Sequence, residues 1–234
     1  MSIEHDIEYQ LRKQGANFIR FVNISFLTKE QNKNYSGAIL FGVVLLPEYI
    51  RKVRNTPSYV EKMKQTRQIQ HDEFHLTELK TDQMADDLAT FLHKKGYDAC
   101  SQSEATIEAG GFYDKHHNRT PLPHKTIAGL AGLGWIGKHN LLVTPEFGSA
   151  VSMCSVLTNA PLKTVSEQPL KSLCGTCQEC VAICPTKALS GNSWNAETSR
   201  DNLLDYKRCT TCLECMIYCP WTQKYAQRNY SRLP

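Results

Sequence analysis

The sequence predicts an α+β domain followed by a small cysteine-rich module. Strand-like and helix-like segments alternate before residue 160 without regular strand–helix–strand units, which favours α+β over a doubly wound sheet. The apolar run at residues 37–46 suits a buried strand and is shorter than a membrane span, which needs about 20 residues. Eight of the ten cysteines lie beyond residue 170. The chain therefore combines an ordinary hydrophobic core with one segment dominated by a single reactive residue type.

The first elements follow from simple periodicity. Residues 3–14 carry Ile3, Ile7 and Leu11 at intervals of four, which predicts a short amphipathic helix. Residues 18–27 are rich in Phe, Ile and Val and predict a strand, and the run at 37–46 predicts a second strand that ends before a proline.

The middle of the chain predicts a long helical region. Ser58, with Glu61 three residues later, predicts a capping box at its start, and Gly96 provides the stop. A break is expected around residues 77–82. Residues 97–103 then predict a strand.

The next segment predicts a loop, a helix and a hairpin. Residues 112–123 are polar, residues 125–133 are helical in pattern, and residues 141–144 and 149–157 predict two paired strands. We place the domain boundary in the stretch that follows, which gives a domain at 1–165 and a second domain at 166–234.

Two cysteine runs share one spacing, C-x2-C-x2-C-x3-C-P, and each ends in a proline. This is the ligand spacing of a two-cluster bacterial-type ferredoxin, in which the fourth cysteine of each run binds the other cluster. A zinc site uses two pairs rather than triplets, and a disulfide framework belongs to secreted chains. We therefore predict two 4Fe–4S clusters, one held by Cys174, Cys177, Cys180 and Cys219, and the other by Cys209, Cys212, Cys215 and Cys184.

The net charge does not point to nucleic acid. The formal charge of +4 ignores the clusters, each of which contributes about −2 when oxidised with four thiolates, so the loaded protein is near neutral. The first residues contain acids and no apolar core, so they do not predict a signal peptide. Clusters of this kind persist under reducing, anaerobic conditions, and the expected location is the cytoplasm.

Two other patterns have ordinary explanations. Residues 132–137 match G-x-G-x-x-G, but a helix precedes them and a strand follows, which is the reverse of a dinucleotide site. His71 and His75 are predicted to lie one turn apart on a solvated helix face, and Asp72 replaces the glutamate that a zinc protease needs. The C-terminal tail interleaves aromatic and cationic residues, namely Trp221, Lys224, Tyr225, Arg228, Tyr230 and Arg232. We expect this tail to pack against the cysteine module.

One longer stretch resembles a known family. Residues 122–142 contain AGLGWIGK followed by LL, then come PEFG at 145–148 and LTNAPL at 157–162 ahead of the cysteine runs. This order resembles the epoxyqueuosine reductase family, which is related to reductive dehalogenases. The resemblance implies a nitroreductase-like domain joined to the two-cluster module, with cobalamin between them. It also implies that one loop lines the cofactor: Gly132, Gly134, Trp135, Gly137 and Lys138.

The chain departs from that family at the catalytic acid. The family's aspartate position corresponds to Asn118, and an amide cannot deliver a proton. Asp114 and Tyr113 are nearby in sequence, but nothing distinguishes them from surface residues, so the catalytic residue is unknown. The family's helical-repeat region for tRNA does not follow the clusters. We therefore expect a short, divergent relative and not the tRNA enzyme itself.

The expected function is an iron–sulfur oxidoreductase. Electrons from a redox partner protein would pass through both clusters to a cobalamin or similar cofactor, which would reduce a small molecule or reactivate a corrinoid protein. His124 and His139 are candidate ligands below cobalt. The alternative is a ferredoxin-type electron-transfer protein that docks a partner and has no substrate of its own. Neither reading predicts a membrane or tRNA partner.

Overall fold

The computed structural model describes residues 2–195 and 197–228, which form two compact units. The first unit contains residues 2–44, 76–133 and 152–169. The second unit contains residues 45–75, 134–151 and 170–228. Each unit is therefore discontinuous in sequence, and the domain boundary at residue 165 stays a prediction.

The helices and strands are as follows. The α-helices are α1 (Ile3–Lys13), α2 (Lys29–Asn32), α3 (Pro47–Arg54), α4 (Tyr59–Gln65), α5 (Glu73–Lys94), α6 (Glu104–Ala109), α7 (His124–Leu130), α8 (Glu179–Ile183), α9 (Glu214–Ile217) and α10 (Pro220–Ala226). The strands are β1 (Phe18–Asn23), β2 (Gly37–Val44), β3 (Ala99–Ser101), β4 (Trp135–Ile136), β5 (Leu142–Val143) and β6 (Val151–Thr158).

The first unit is built on a four-stranded sheet in the order β1-β2-β6-β3. β1 and β2 are antiparallel, from Phe18 opposite Gly42 to Asn23 opposite Gly37, and β3 is antiparallel to β6. Helices α1 and α5 contribute buried residues to the core together with the sheet. The fold is thus a mixture of helices and an antiparallel-rich sheet, as the predicted α+β class requires, whereas the nitroreductase-like detail stays a prediction.

Local sequence explains where these elements begin and end. Ile7 and Leu11 are fully buried in the core, as their spacing predicts, and Ser2 caps α1 by accepting from the backbone N–H of His5. Asp72 precedes α5 and accepts from the backbone N–H groups of Phe74 and His75.

The second unit collects short elements around the cysteine runs. The two-stranded β4–β5 ribbon pairs Trp135 with Val143 and Ile136 with Leu142. Helix α3 begins at Pro47, a residue suited to the first helical position, and it packs against α9 and α10. Among the described residues, none of the helices has the length and apolar character needed to cross a membrane.

Several local predictions are wrong. Ser58 precedes α4 with a positive φ of 52° and makes no side-chain cap, so the capping box is not formed. The helical region breaks between α4 and α5 rather than at residues 77–82, which lie inside α5. The predicted hairpin forms only at its turn, where Thr144 and Gly148 make an antiparallel bridge; beyond it, β5 pairs with β4 while β6 joins the large sheet. The two histidines thought to share a helix also separate, since His71 ends a 3₁₀ turn and His75 lies in α5.

Candidate metal centre

The two cysteine runs share one local design in the second unit. In each run a tight loop carries the first two cysteines and a short helix carries the third, Cys180 on α8 and Cys215 on α9. The fourth cysteine of each run stands just past its helix: Cys184 ends α8, and Cys219 immediately precedes α10. The proline after Cys219 begins α10 without losing a backbone hydrogen bond, because the first helical N–H groups have no partner within the helix.

Residues with a positive φ shape both cysteine loops. Gly175 has a φ of 51° in the first loop, and the backbone N–H of Cys177 donates to the carbonyl of Cys174 at 2.9 Å. In the second loop Thr211 and Leu213 have φ values of 52° and 65°. A β-branched residue at positive φ is strained and costs roughly 1–3 kcal/mol. Such strain is typical of a loop wrapped around a bound group.

The cysteine thiols fall into two electrostatic groups that cross the runs. Burial raises the pKa of Cys180 to about 11, and Cys219, Cys174 and Cys177 contribute to the same effect. Burial also raises the pKa of Cys219, with Cys174 and Cys177 among its charged neighbours. The fourth cysteine of the second run therefore lies with the first run.

The second group of thiols shows the same exchange between the two cysteine runs. The pKa of Cys215 is raised by burial and then by Cys212, Cys180, Cys209 and Cys184. The fourth cysteine of the first run thus interacts with the second run, and Cys180 interacts with both groups. This is the pattern that exchange of the fourth ligand requires, although the ligand assignment itself stays a prediction.

Cys184 has a setting suited to a thiolate. Burial alone would raise its pKa, but the backbone N–H of Ala188 donates to Cys184 Sγ at 3.3 Å and Thr186 Oγ1 lies at 3.7 Å, so the pKa falls below its ordinary value. Among the described residues, no three His, Cys, Asp or Glu side chains converge closely enough for a single metal ion. A zinc site would bring its sulfurs to about 3.8 Å from one another, whereas each thiolate of a cubane cluster binds its own iron.

The predicted cofactor loop begins in the first unit, where Gly132 ends α7. Its φ is 63°, its N–H donates to the carbonyl of Gly129, and the N–H of Leu133 donates to the carbonyl of Ala128. These bonds form a helix-ending turn that favours glycine. A Cβ at this position would also lie 3.2 Å from Glu167.

The other loop glycines serve the β4–β5 ribbon of the second unit. A Cβ on Gly134 would lie 2.1 Å from the carbonyl oxygen of Val143, so only glycine fits there. A Cβ on Gly137 would lie 2.7 Å from the ring of His139. Both glycines are explained by close packing within the protein, and their contact with a cofactor stays a prediction.

Trp135 and Lys138 are buried beside the cysteine runs. Trp135 is 1% exposed and packs edge-to-face on Trp221, with ring centroids 5.0 Å apart. Its indole Nε1 has no hydrogen-bond partner among the described residues. Lys138 is 4% exposed, and its Nζ donates to the carbonyl of Cys177 at 3.0 Å. A buried ammonium group thus lies against the loop of the first run, a contact that no sequence pattern predicts.

The candidate cobalt ligands have protein partners. His139 Nδ1 accepts from the N–H of Leu141 at 3.2 Å, and its Nε2 lies 3.4 Å from Ser149 Oγ. In the first unit, His124 Nδ1 lies 3.0 Å from Ser155 Oγ, and burial lowers the pKa of His124 to about 4. Both imidazoles therefore have structural roles, and their binding to cobalt stays a prediction.

The loop at the family's aspartate position is held by its own polar groups. Tyr113 donates from its hydroxyl to Asn118 Oδ1 at 2.8 Å. Asp114 Oδ2 lies 2.7 Å from His117 Nδ1, and this bond holds the pKa of Asp114 below its ordinary value. A carboxyl group with a lowered pKa is a poor proton donor.

The two cysteines outside the cysteine runs and the described part of the C-terminal tail have structural surroundings. Cys154 is fully buried, and burial raises its pKa well above the ordinary value, whereas Cys100 is partly exposed. In the tail, Trp221 packs on Trp135, and Tyr225 donates to the carbonyl of Leu45 at 2.8 Å. Tyr230 and Arg232 lie outside the described residues.

Comparison with known proteins confirms the predicted type of cofactor. Residues 173–222 match the family model of a 4Fe-4S dicluster domain. An epoxyqueuosine reductase from Synechococcus sp. (strain CC9605) is 49% identical over 70 residues, which cover 30% of this chain and 21% of that protein. The Bacillus anthracis epoxyqueuosine reductase is 38% identical over 88 residues, which cover 38% and 20%. The predicted resemblance is confirmed, over matched segments that span about a fifth of these relatives.

Solved structures share the fold over most of the chain. Epoxyqueuosine reductase from Streptococcus thermophilus aligns with a TM-score of 0.57 at 16% identity and covers 95% of this chain and 67% of that one. A reductive dehalogenase described as carrying out B12-dependent dehalogenation aligns with a TM-score of 0.62 at 17% identity, covering 94% and 33%. At these identities the likeness establishes the fold alone.

Proposed function

We propose that the protein is an iron–sulfur reductase that passes single electrons through two 4Fe–4S clusters to a cobalamin or similar corrinoid cofactor. The closeness of thiols from the two cysteine runs carries this proposal, because clusters bound by neighbouring thiols would lie near enough to exchange electrons. The similarity of residues 173–222 to dicluster domains supports the same reading.

The proposed cluster ligands follow the two thiol groups. The electrostatic neighbours of Cys180 support the first set, and those of Cys215 support the second. The first cluster is held by Cys174, Cys177, Cys180 and Cys219, and the second by Cys209, Cys212, Cys215 and Cys184.

The case for a further cofactor rests on Trp135. Its buried indole N–H has no acceptor among the described residues, and an unpaired buried donor costs roughly 1–3 kcal/mol. A cofactor with amide carbonyl groups at its edge would supply the acceptor. When bound, cobalamin would supply a metal centre that accepts single electrons. The side chain of Trp135 would donate to its edge, and Gly134 and Gly137 would shape the backbone of the loop that lines it.

The absence of an evident acid suggests the type of reaction. Asn118 accepts from Tyr113, and Asp114 is held ionised by His117. Reactivation of a corrinoid needs an electron and no proton, so it suits such a loop better than reduction of an epoxide. The proposed acceptor is therefore a corrinoid protein or a small molecule whose reduction draws its proton from solvent. We keep tRNA outside the proposed partners, although a related reductase has been solved with a tRNA-Tyr stem loop.

A second candidate function is electron transfer without a substrate. The burial of Trp135 and the bond from Lys138 to the carbonyl of Cys177 favour it, because both side chains are engaged by the protein rather than free to line a cavity. In this reading the first unit only docks a partner. The two candidates differ in whether a cofactor binds.

An anaerobic titration with cobalamin separates them. The reconstituted chain is titrated with cob(II)alamin while visible absorption and EPR spectra are recorded. A saturable spectral change at one equivalent, weakened by Trp135→Phe, which lacks the N–H, is the result expected of the reductase. Absence of binding while dithionite still reduces both clusters would leave the electron carrier.

A further inference from the structure

The cations of the second unit concentrate around the second cysteine loop. Residues 51–67 and 205–211 together contain eight lysines and arginines but only two acids, Glu61 and Asp205. All eight of these cations are exposed. Arg51 is paired with Glu48, and Lys52 lies over the ring of Tyr59. The other six form what we call the basic surface: Arg54, Lys62, Lys64, Arg67, Lys207 and Arg208.

Two contacts tie this surface to the second cysteine run. Lys64 at the end of α4 donates from its Nζ to the carbonyl of Thr210 at 3.2 Å and lies 3.5 Å from Thr211 Oγ1. Arg54 at the end of α3 lies over the ring of Tyr218, 5.5 Å from its centroid. Lys207 and Arg208 immediately precede Cys209 in the chain. Four of the six cations therefore lie at the second cysteine run, and the other two, Lys62 and Arg67, lie within three residues of Lys64 in the chain.

This loop is also the accessible one. All eight cysteines of the two runs are described, and Cys209 alone among them is exposed, whereas Cys180 and Cys219 are buried. An electron passes between proteins most readily where a cluster ligand reaches the surface. If electrons enter at the second cluster, the first cluster, whose ligands include the buried Cys180 and Cys219, would receive them next.

The basic surface keeps its charge available. Among the described residues, no carboxylate lies within ion-pair distance of Lys62, Lys64 or Arg67, whereas the neighbouring Arg51 is paired with Glu48. Unpaired cations on one face raise the local concentration of an acidic partner and speed association 10- to 1,000-fold, an approximate range that shrinks with added salt.

We propose that the basic surface docks the electron donor and that this donor is a small redox protein with an acidic face. This inference rests on the proposed function, because it assumes that clusters are present. In the step itself one electron leaves the donor's reduced centre and enters the second cluster, so the donor is oxidised and the cluster reduced. No bond forms or breaks and no proton is needed.

The test measures how fast a defined donor reduces the clusters. A reduced acidic [2Fe–2S] ferredoxin of the plant type is mixed with the reconstituted chain in an anaerobic stopped-flow instrument at low and high salt. The test variant is Lys62→Glu with Arg67→Glu, two exposed positions whose replacement leaves the bond from Lys64 to the cysteine loop in place. The control is Lys29→Glu with Lys94→Glu, which makes the same charge change at exposed positions of the first unit.

The expected result is a roughly tenfold lower second-order rate constant for the test variant at low ionic strength, converging on the wild type as salt rises. The control should stay within about twofold of the wild type, and dithionite should reduce every variant equally. Equal rates for the test and control variants would overturn the inference while leaving the proposed function intact. Failure of dithionite to reduce the clusters in the wild type would instead defeat the proposed function.

A nucleic acid is the competing occupant of a basic surface. Binding of a fluorescent tRNA anticodon stem loop is therefore measured with the same variants by anisotropy. A test variant that loses RNA binding but accepts electrons from ferredoxin at the wild-type rate would show that the surface serves RNA. That outcome would also overturn the inference.

Discussion

Replacing Lys138 by methionine should lower the reduction potential of one cluster and not the other. Lys138 is 4% exposed and donates to the carbonyl of Cys177, so its charge lies against the loop proposed to hold the first cluster. Reduction adds a negative charge to a cluster, and a nearby cation stabilises that reduced form. Methionine has a similar length and no charge, so the variant removes the stabilisation with little change in packing.

The magnitude follows from Coulomb's law. A unit charge about 6–10 Å from a cluster, at an effective dielectric constant of about 20, contributes about 1.7–2.8 kcal/mol. Since about 1.4 kcal/mol corresponds to about 59 mV for a one-electron couple, the expected shift is about 70–120 mV towards more negative potential. The carbonyl of Cys177 also loses its donor, which should reduce stability by about 1–3 kcal/mol.

An anaerobic redox titration followed by EPR measures the potential of each cluster. The matched control is Lys171→Met, an exposed lysine three residues before Cys174, whose removal in high dielectric should shift the potential by less than about 20 mV. Lys138→Arg keeps the charge and should stay close to the wild type. Potentials in Lys138→Met that match the wild type, or equal shifts in both lysine variants, would refute the reasoning.

Three further predictions test the site and the core. Because Cys184 and Cys212 are assigned to one cluster, replacing both by serine should leave about four irons per chain, whereas replacing Cys184 and Cys177 should leave almost none; the reverse iron contents would show that each run holds its own cluster and that ligands are not exchanged. Gly134→Ala places a Cβ 2.1 Å from a backbone carbonyl oxygen and should cost about 2–3 kcal/mol in denaturant unfolding, and a loss below about 0.5 kcal/mol would contradict that packing. Burial lowers the pKa of His124 from 6.5 to about 4, so the unfolded chain binds more protons between these values and stability should fall by up to about 3 kcal/mol on acidification through that window; His124→Gln should remove this pH dependence, and an unchanged profile would assign the acid sensitivity elsewhere.

Elements governed by local periodicity could be predicted closely from the sequence. The helix predicted at residues 3–14 is α1 at Ile3–Lys13, and the buried run at residues 37–46 is β2 at Gly37–Val44. Each has a strong apolar pattern that its own residues satisfy. The cysteine spacing was equally informative, because ligand geometry fixes it independently of the rest of the fold.

Features that depend on distant partners were not predictable. The predicted hairpin was right at its turn, where Thr144 and Gly148 pair, and wrong beyond it, since β5 pairs with Trp135–Ile136 and β6 joins the large sheet. Helices α3 and α4 belong with the cysteine runs although more than 100 residues separate them, as the contact from Lys64 to Thr210 illustrates. The family resemblance singled out Lys138 as a cofactor-loop residue, but nothing in the sequence predicted its bond to the carbonyl of Cys177.

The discontinuous second unit has a consequence for biosynthesis. Residues 45–75 and 134–151 leave the ribosome well before the second cysteine run, and they lack their packing partners until Cys219 has been made. At about 5–20 residues per second, the roughly 70 residues from 151 to 219 take about 3–14 s to synthesise. During that interval the apolar face of α3 lacks the helices α9 and α10 against which it packs in the finished protein. Iron delivery is correspondingly a late event in maturation. If it failed, the chain would stay incompletely packed and would be open to proteolysis.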